Sequence, residues 1–167
     1  MQQQEERSIS DKDSKESLRH LIALCEDGVR AFEDAVVEVD DRKLMGLFRE
    51  LAISRKFTAV ELRKLLRSMG GDASEGGTLA GSALRLYSQI KATVAEEDVV
   101  AILEELERSE RRALEAFESA AERERSGALH DAIRVHAKEI GRTLESLHAL
   151  RMELKRSSSS EDDPEDD

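Results

Sequence analysis

Two glutamates, Glu107 and Glu110, stand on an apolar stripe whose other members are Leu103, Leu114, Phe117 and Ala121. Carboxylates turned toward the interior of a helical bundle are the raw material of a two-metal centre. Such a centre takes one Glu from each of two helices and Glu-x-x-His from each of two others. The further donors here are Glu61, His136, Glu145 and His148. Glu145-Ser-Leu-His148 has the required spacing, but Glu145 points away from the Ile140–Thr143–Leu147 stripe. Glu61-Leu-Arg-Lys64 carries Lys where the histidine should stand, and Glu26, Glu33 and Glu38 lie off the strict stripe of the first apolar segment. Half of a site is present. Arg55 occupies a stripe position in the second segment, where its charge would oppose a dication.

A charge buried alone is very costly, and the cheap solution is an Arg–carboxylate pair. The residues therefore read as a structural polar layer in which Arg55 meets Glu110, joined by Glu107 or Glu26, with no cofactor. The alternative is an iron or manganese centre drawn from Glu61, Glu107, Glu110, His136, Glu145 and His148. His136 also reads as a neutral core histidine, and His130 and His148 as surface residues. The chain has no G-x-G-x-x-G, P-loop, G-x-S-x-G, H-E-x-x-H or C-x-x-C motif. Its single cysteine, Cys25, falls on an apolar stripe and reads as a small core residue, not a nucleophile.

Four amphipathic segments must position these groups. The first runs over about 14–39, with Leu18, Leu21, Cys25, Val29 or Gly28, Phe32, Val36 and Val39 mostly at steps of three and four, and Asp13 with Glu16 resembles a capping box at its start. The second covers about 41–69, where Leu44, Phe48, Leu51, Arg55, Thr58, Leu62, Leu65 and Met69 alternate steps of four and three, and Gly70-Gly71 ends it. The third spans about 97–124 and the fourth about 127–155, the latter through Leu129, Ile133, His136, Ile140, Leu147 and Leu154. A shorter helix at about 79–94 follows the linker GGDASEGGT and can carry the chain back along the bundle. The pattern predicts an all-α, antiparallel four-helix bundle over 14–155 with a long helical crossover between the second and third long helices. It leaves 1–13 and the acidic 156–167 as disordered tails.

Composition narrows the function classes. Of 167 residues, 39% are hydrophobic, 38% charged and 3% aromatic, which suits long helices and not a β-sandwich. The net charge is −11, and the six acids of 161–167 supply more than half of it. Nucleic acid and anionic membranes are disfavoured partners. No stretch has the apolar length to span a bilayer, and the N-terminus lacks an apolar signal region. The expectation is a cytoplasmic protein whose partner is a second copy or another protein. Outward apolar residues, namely Ile53, Phe57, Tyr87 and Val99, offer a contact surface, with Phe57 the best placed.

Four stretches carry a resemblance: LIALCEDGVRAFEDAV (21–36), LFRELAISRKFTAVELRKLLRSMGG (47–71), GTLAGSALRLYSQIKA (77–92) and ILEELERSERRALEAFESA (102–120). In this order they resemble a bacterial family of ferritin-like four-helix-bundle proteins of uncharacterised function. The resemblance implies a ferritin-like bundle with a long connection between its second and third helices. Arg55, Glu61 and Glu110 match that family's recurring polar positions. Val29 and Leu144 stand where the family often has an acid and a histidine, which weakens any metal role the fold suggests. The function expected is a non-enzymatic bundle acting through protein association, with a degenerate di-metal binder or oxidase as the alternative.

Overall fold

The computed structural model describes residues 2–75, 99–124 and 126–161. Among the described residues there are four long helices, α1 (Gln2–Glu38), α2 (Arg42–Ser68), α3 (Val99–Glu124) and α4 (Ala128–Glu161), with a short 3-10 turn at Ala73–Glu75. α1 packs along α2 and α3 along α4, while α1 with α3 and α2 with α4 close the bundle. The chain is an antiparallel four-helix bundle with a long connection between α2 and α3. The helix expected at 79–94, Tyr87 within it, and residues 162–167 of the acidic tail lie outside the described residues. Among the described residues no helix is long and apolar enough to cross a membrane.

The α1–α2 hairpin turns on Asp41. Its carboxylate Oδ1 accepts the backbone N–H of Lys43 at 2.7 Å and of Leu44 at 2.9 Å, capping the first turn of α2. These two bonds hold the Asp41 carboxyl below its ordinary pKa. At the other end, Gly70 takes φ +72°, and Gly71 N–H reaches back to the Leu66 carbonyl at 2.9 Å. This is a glycine-terminated helix end of the Schellman type. Gly127, at φ +99°, turns α3 into α4, and the ring Nδ1 of His130 lies 2.9 Å from the Ala121 carbonyl across that turn. His130, expected at the surface, is thereby partly buried.

The core falls into two hydrophobic clusters, one at each end of the bundle. One gathers the N-terminal halves of α1 and α4 with the C-terminal halves of α2 and α3, among them Leu21, Leu62, Phe117 and Ile133. The other gathers the opposite halves, among them Phe32, Phe48, Leu103 and Leu147. The connection from Met69, packed against the first cluster, to Val99, packed against the second, therefore has to travel the length of the bundle. Val99 is partly buried there, not turned outward as its sequence position suggested.

Two boundaries differ from the sequence reading. α1 begins at Gln2, so residues 2–13 are helical and the expected cap at Asp13 lies inside the helix. α4 runs to Glu161, six residues past the expected end. Neither extension contains a glycine or proline, and the Gln, Glu, Lys and Arg of 2–13 are residues of good intrinsic helix propensity.

Candidate functional site

Between the two hydrophobic clusters lies a single charged layer. Arg55 comes from the middle of α2 and Glu110 from the middle of α3, a pair of helices that face each other diagonally across the bundle. Arg55 Nε donates to Glu110 Oε1 at 3.2 Å, and Nη2 donates to Oε2. The side chains are 2% and 1% exposed, so the pair is sealed from water. A two-pronged guanidinium–carboxylate contact is the geometry in which a buried charge pair satisfies itself best. Gly28 of α1 makes the space: a Cβ there would sit 3.5 Å from both Cγ and Cδ of Arg55 and 3.7 Å from Glu110 Oε1. A methyl group would fit in ordinary contact, whereas a longer side chain would compete with the guanidinium for its place.

The other two expected members of the layer are elsewhere. Glu107 is buried but turns to α4. Arg151 donates to it through Nε and Nη2, and His148 Nδ1 lies 3.2 Å from its Oε2. Arg151 also donates to Glu104 at 3.2 Å, and Lys155 reaches Glu104 at 2.8 Å. Burial pushes the Glu107 carboxyl up, but the hydrogen bonds from Arg151 and His148 outweigh it and hold the group below its ordinary value. Glu26 is partly exposed and takes a hydrogen bond from Arg63 across the α1–α2 seam. The single four-membered layer of the sequence reading is thus three separate contacts, because one turn of helix separates Glu107 from Glu110 along the axis and rotates it toward the α3–α4 seam.

The donors proposed for a metal are dispersed in the same way. Glu61 is engaged by Lys64 at 2.8 Å, and that bond lowers its pKa. Glu145 is exposed on the outer groove between α3 and α4. His136 is buried edge-on against Phe117, the ring centroids 6.5 Å apart at 74°. Its Nδ1 has no hydrogen-bond partner among the described residues, Glu139 Oε2 lying 3.6 Å away. Glu107 and His148 approach each other as a carboxylate and an imidazole from two helices, and Arg151 occupies that same carboxylate. Each inward glutamate already carries a guanidinium, so a dication would first have to displace an arginine. No group of three or more His, Cys, Asp or Glu among the described residues is arranged to hold a metal ion. The residues do not fit the two-metal centre that the resemblance suggested.

Cys25 is no better suited to covalent chemistry. It is buried in the cluster of Leu21, Leu62, Phe117 and Ile133, and that burial pushes its thiol up to about 12. The nucleophile is the thiolate, and this thiol stays protonated at neutral pH. Arg151 and Arg63 are the residues that stripe reasoning missed, while Gly28, which shares one place on the first stripe with Val29, is the position that makes room for Arg55. Arg151 stands one turn beyond His148 on the edge of α4, level with Glu104, so an edge-position search for arginines opposite the acids of α3 would have found it.

The model of one family, described as a domain of unknown function (DUF2383), matches residues 13–124, and the chain belongs to that family. No curated protein and no solved structure matches it.

Proposed function

We propose that this DUF2383 member is a ferritin-like helical bundle that acts through protein association and not through catalysis, using the outward face of α2. The observation that carries this reading is a row of exposed apolar side chains: Ile53 is 65% exposed, Phe57 61% and Val60 43%. Steps of four and three put them on one stripe, opposite the buried stripe of Phe48, Arg55, Leu62 and Leu66. Scattered surface apolar residues need no explanation, but a contiguous row with an aromatic at its centre is what association surfaces are made of. The ferritin-like assignment is supported by the end-to-end connection between the two hairpins. The polar interior supports the non-catalytic half of the reading. Arg55 and Glu110 serve there to fix how the two hairpins meet, since each would be an unpaired buried charge in any other arrangement.

The reading is tested by placing a benzophenone amino acid at position 57 of the full chain and irradiating it in an extract of its own host cells. A discrete protein adduct is expected at 57 and not from the same group at Lys138 on the outer face of α4. Equal labelling from both positions sinks the α2 surface. A stoichiometric two-metal signal on aerobic Fe(II) titration, lost with Glu110→Ala, would sink the non-catalytic reading.

A further inference from the structure

The outward stripe of α2 has a charge pattern that says what it pairs with. Glu50 lies two turns before Phe57 and Lys64 two turns after it, both exposed. With Ile53 and Val60 they form a run at positions 50, 53, 57, 60 and 64, the alternating spacing of a helix–helix seam. The run has an acid at one end, a base at the other and its aromatic at the midpoint. Such a stripe is complementary to itself when reversed.

We infer that α2 pairs with α2 of a second copy, antiparallel, about a two-fold axis passing at Phe57. This deepens the association reading above and rests on it. In that register the two Phe57 rings meet on the axis. Ile53 of each copy packs beside Val60 of the other, and Glu50 of each copy lies level with Lys64 of its mate, giving two equivalent ion pairs. An isologous contact repeats every interaction twice, so a stripe with opposite charges at equal distances from its centre gains from it. Parallel pairing would instead set Glu50 beside Glu50 and Lys64 beside Lys64. Lys64 Nζ already holds Glu61 of its own helix at 2.8 Å, and an ammonium has donors left for a second carboxylate. Among the described residues the other strongly exposed apolar side chains, Val37, Val135 and Met152, stand singly on α1 and α4 and define no such row. Three apolar side chains per copy are few for a permanent dimer, which needs upwards of about 1,000 Å² in total, so the pairing is concentration-dependent.

Sedimentation velocity of the full chain over a wide concentration range, at low and moderate salt, reads this directly. A monomer–dimer equilibrium is expected, and Phe57→Glu should shift it toward monomer by more than about a hundredfold. Glu50→Lys or Lys64→Glu alone should weaken it about tenfold, each placing two like-charged pairs across the axis. The double reversal Glu50→Lys with Lys64→Glu should restore it, which no effect on the monomer alone would produce. Far-ultraviolet dichroism and thermal midpoint confirm that each variant is folded. A chain that is monomeric throughout, or a dimer indifferent to these charges, overturns the second-copy assignment. If a position-57 adduct with another protein still forms in that case, the association reading survives its loss; if none forms, both fall, and the chain's own 79–94 segment is the remaining cover for the stripe.

Discussion

At the scale of single residues, the Arg55–Glu110 pair is the most deeply buried ion pair among the described residues. Exposed pairs such as Lys56–Glu33 on the α1–α2 seam contribute little, because water and side-chain entropy offset the attraction. In the sealed centre, removing one partner leaves the other charged, dry and alone. Arg55→Ala should therefore cost about 3–5 kcal/mol in urea unfolding. Replacing both members by apolar residues of similar volume, Arg55→Met with Glu110→Leu, should recover most of that loss. A small cost for the single change would mean that water reaches the layer. Glu107 makes a separate prediction. Its carboxyl lies below the ordinary value of 4.5 in the folded chain, so its contribution is complete above that pH and is lost as acid protonates it. Thermal midpoints of the native chain and Glu107→Gln should differ most near neutrality and converge well below pH 4.5.

At the scale of elements, each helix end is only as sharp as the residue that stops it. Gly70→Ala would force a Cβ into a left-handed backbone conformation and should lower stability by about 1 kcal/mol, read as a drop in thermal midpoint. The same distinction explains what was legible in the chain. Asp41 and Gly70 announce both ends of α2, and the structure puts them within a residue of where they were expected. Nothing announces the start of α1. A periodic apolar pattern reports burial, and residues 2–13 need no such pattern to be helical. Arg55 and Glu110 were readable as a meeting pair because both break an apolar stripe at the same height. Glu107 shares that stripe, yet its partners Arg151 and His148 lie at the edge of α4, where a reading confined to interior positions does not look.

At the scale of the whole molecule, two hairpins that each close their own seam are held together across the bundle by α1 against α3, a sparser α2–α4 contact and the central charge pair. Since the pair lies between two apolar clusters, each half of the bundle carries a protected core of its own. Amide exchange should resolve this. Protection is expected to be highest beside Phe117 and Ile133 and beside Phe32 and Phe48, with a common opening energy wherever the clusters unfold together. In Arg55→Ala the two clusters should open separately. A uniform loss of protection along all four helices would show that the charged layer does not divide the fold.

The antiparallel layout also fixes where the polypeptide enters and leaves. α1 starts at one pole of the bundle and α4 finishes at the other, so whatever is joined to one terminus is carried on the far side from whatever is joined to the second. Fluorophores at Lys12 and Arg156 should report a separation of roughly 45 Å, set by the rise of about 1.5 Å per helical residue. Helix rise alone thus sets the distance between groups carried at opposite poles of the bundle.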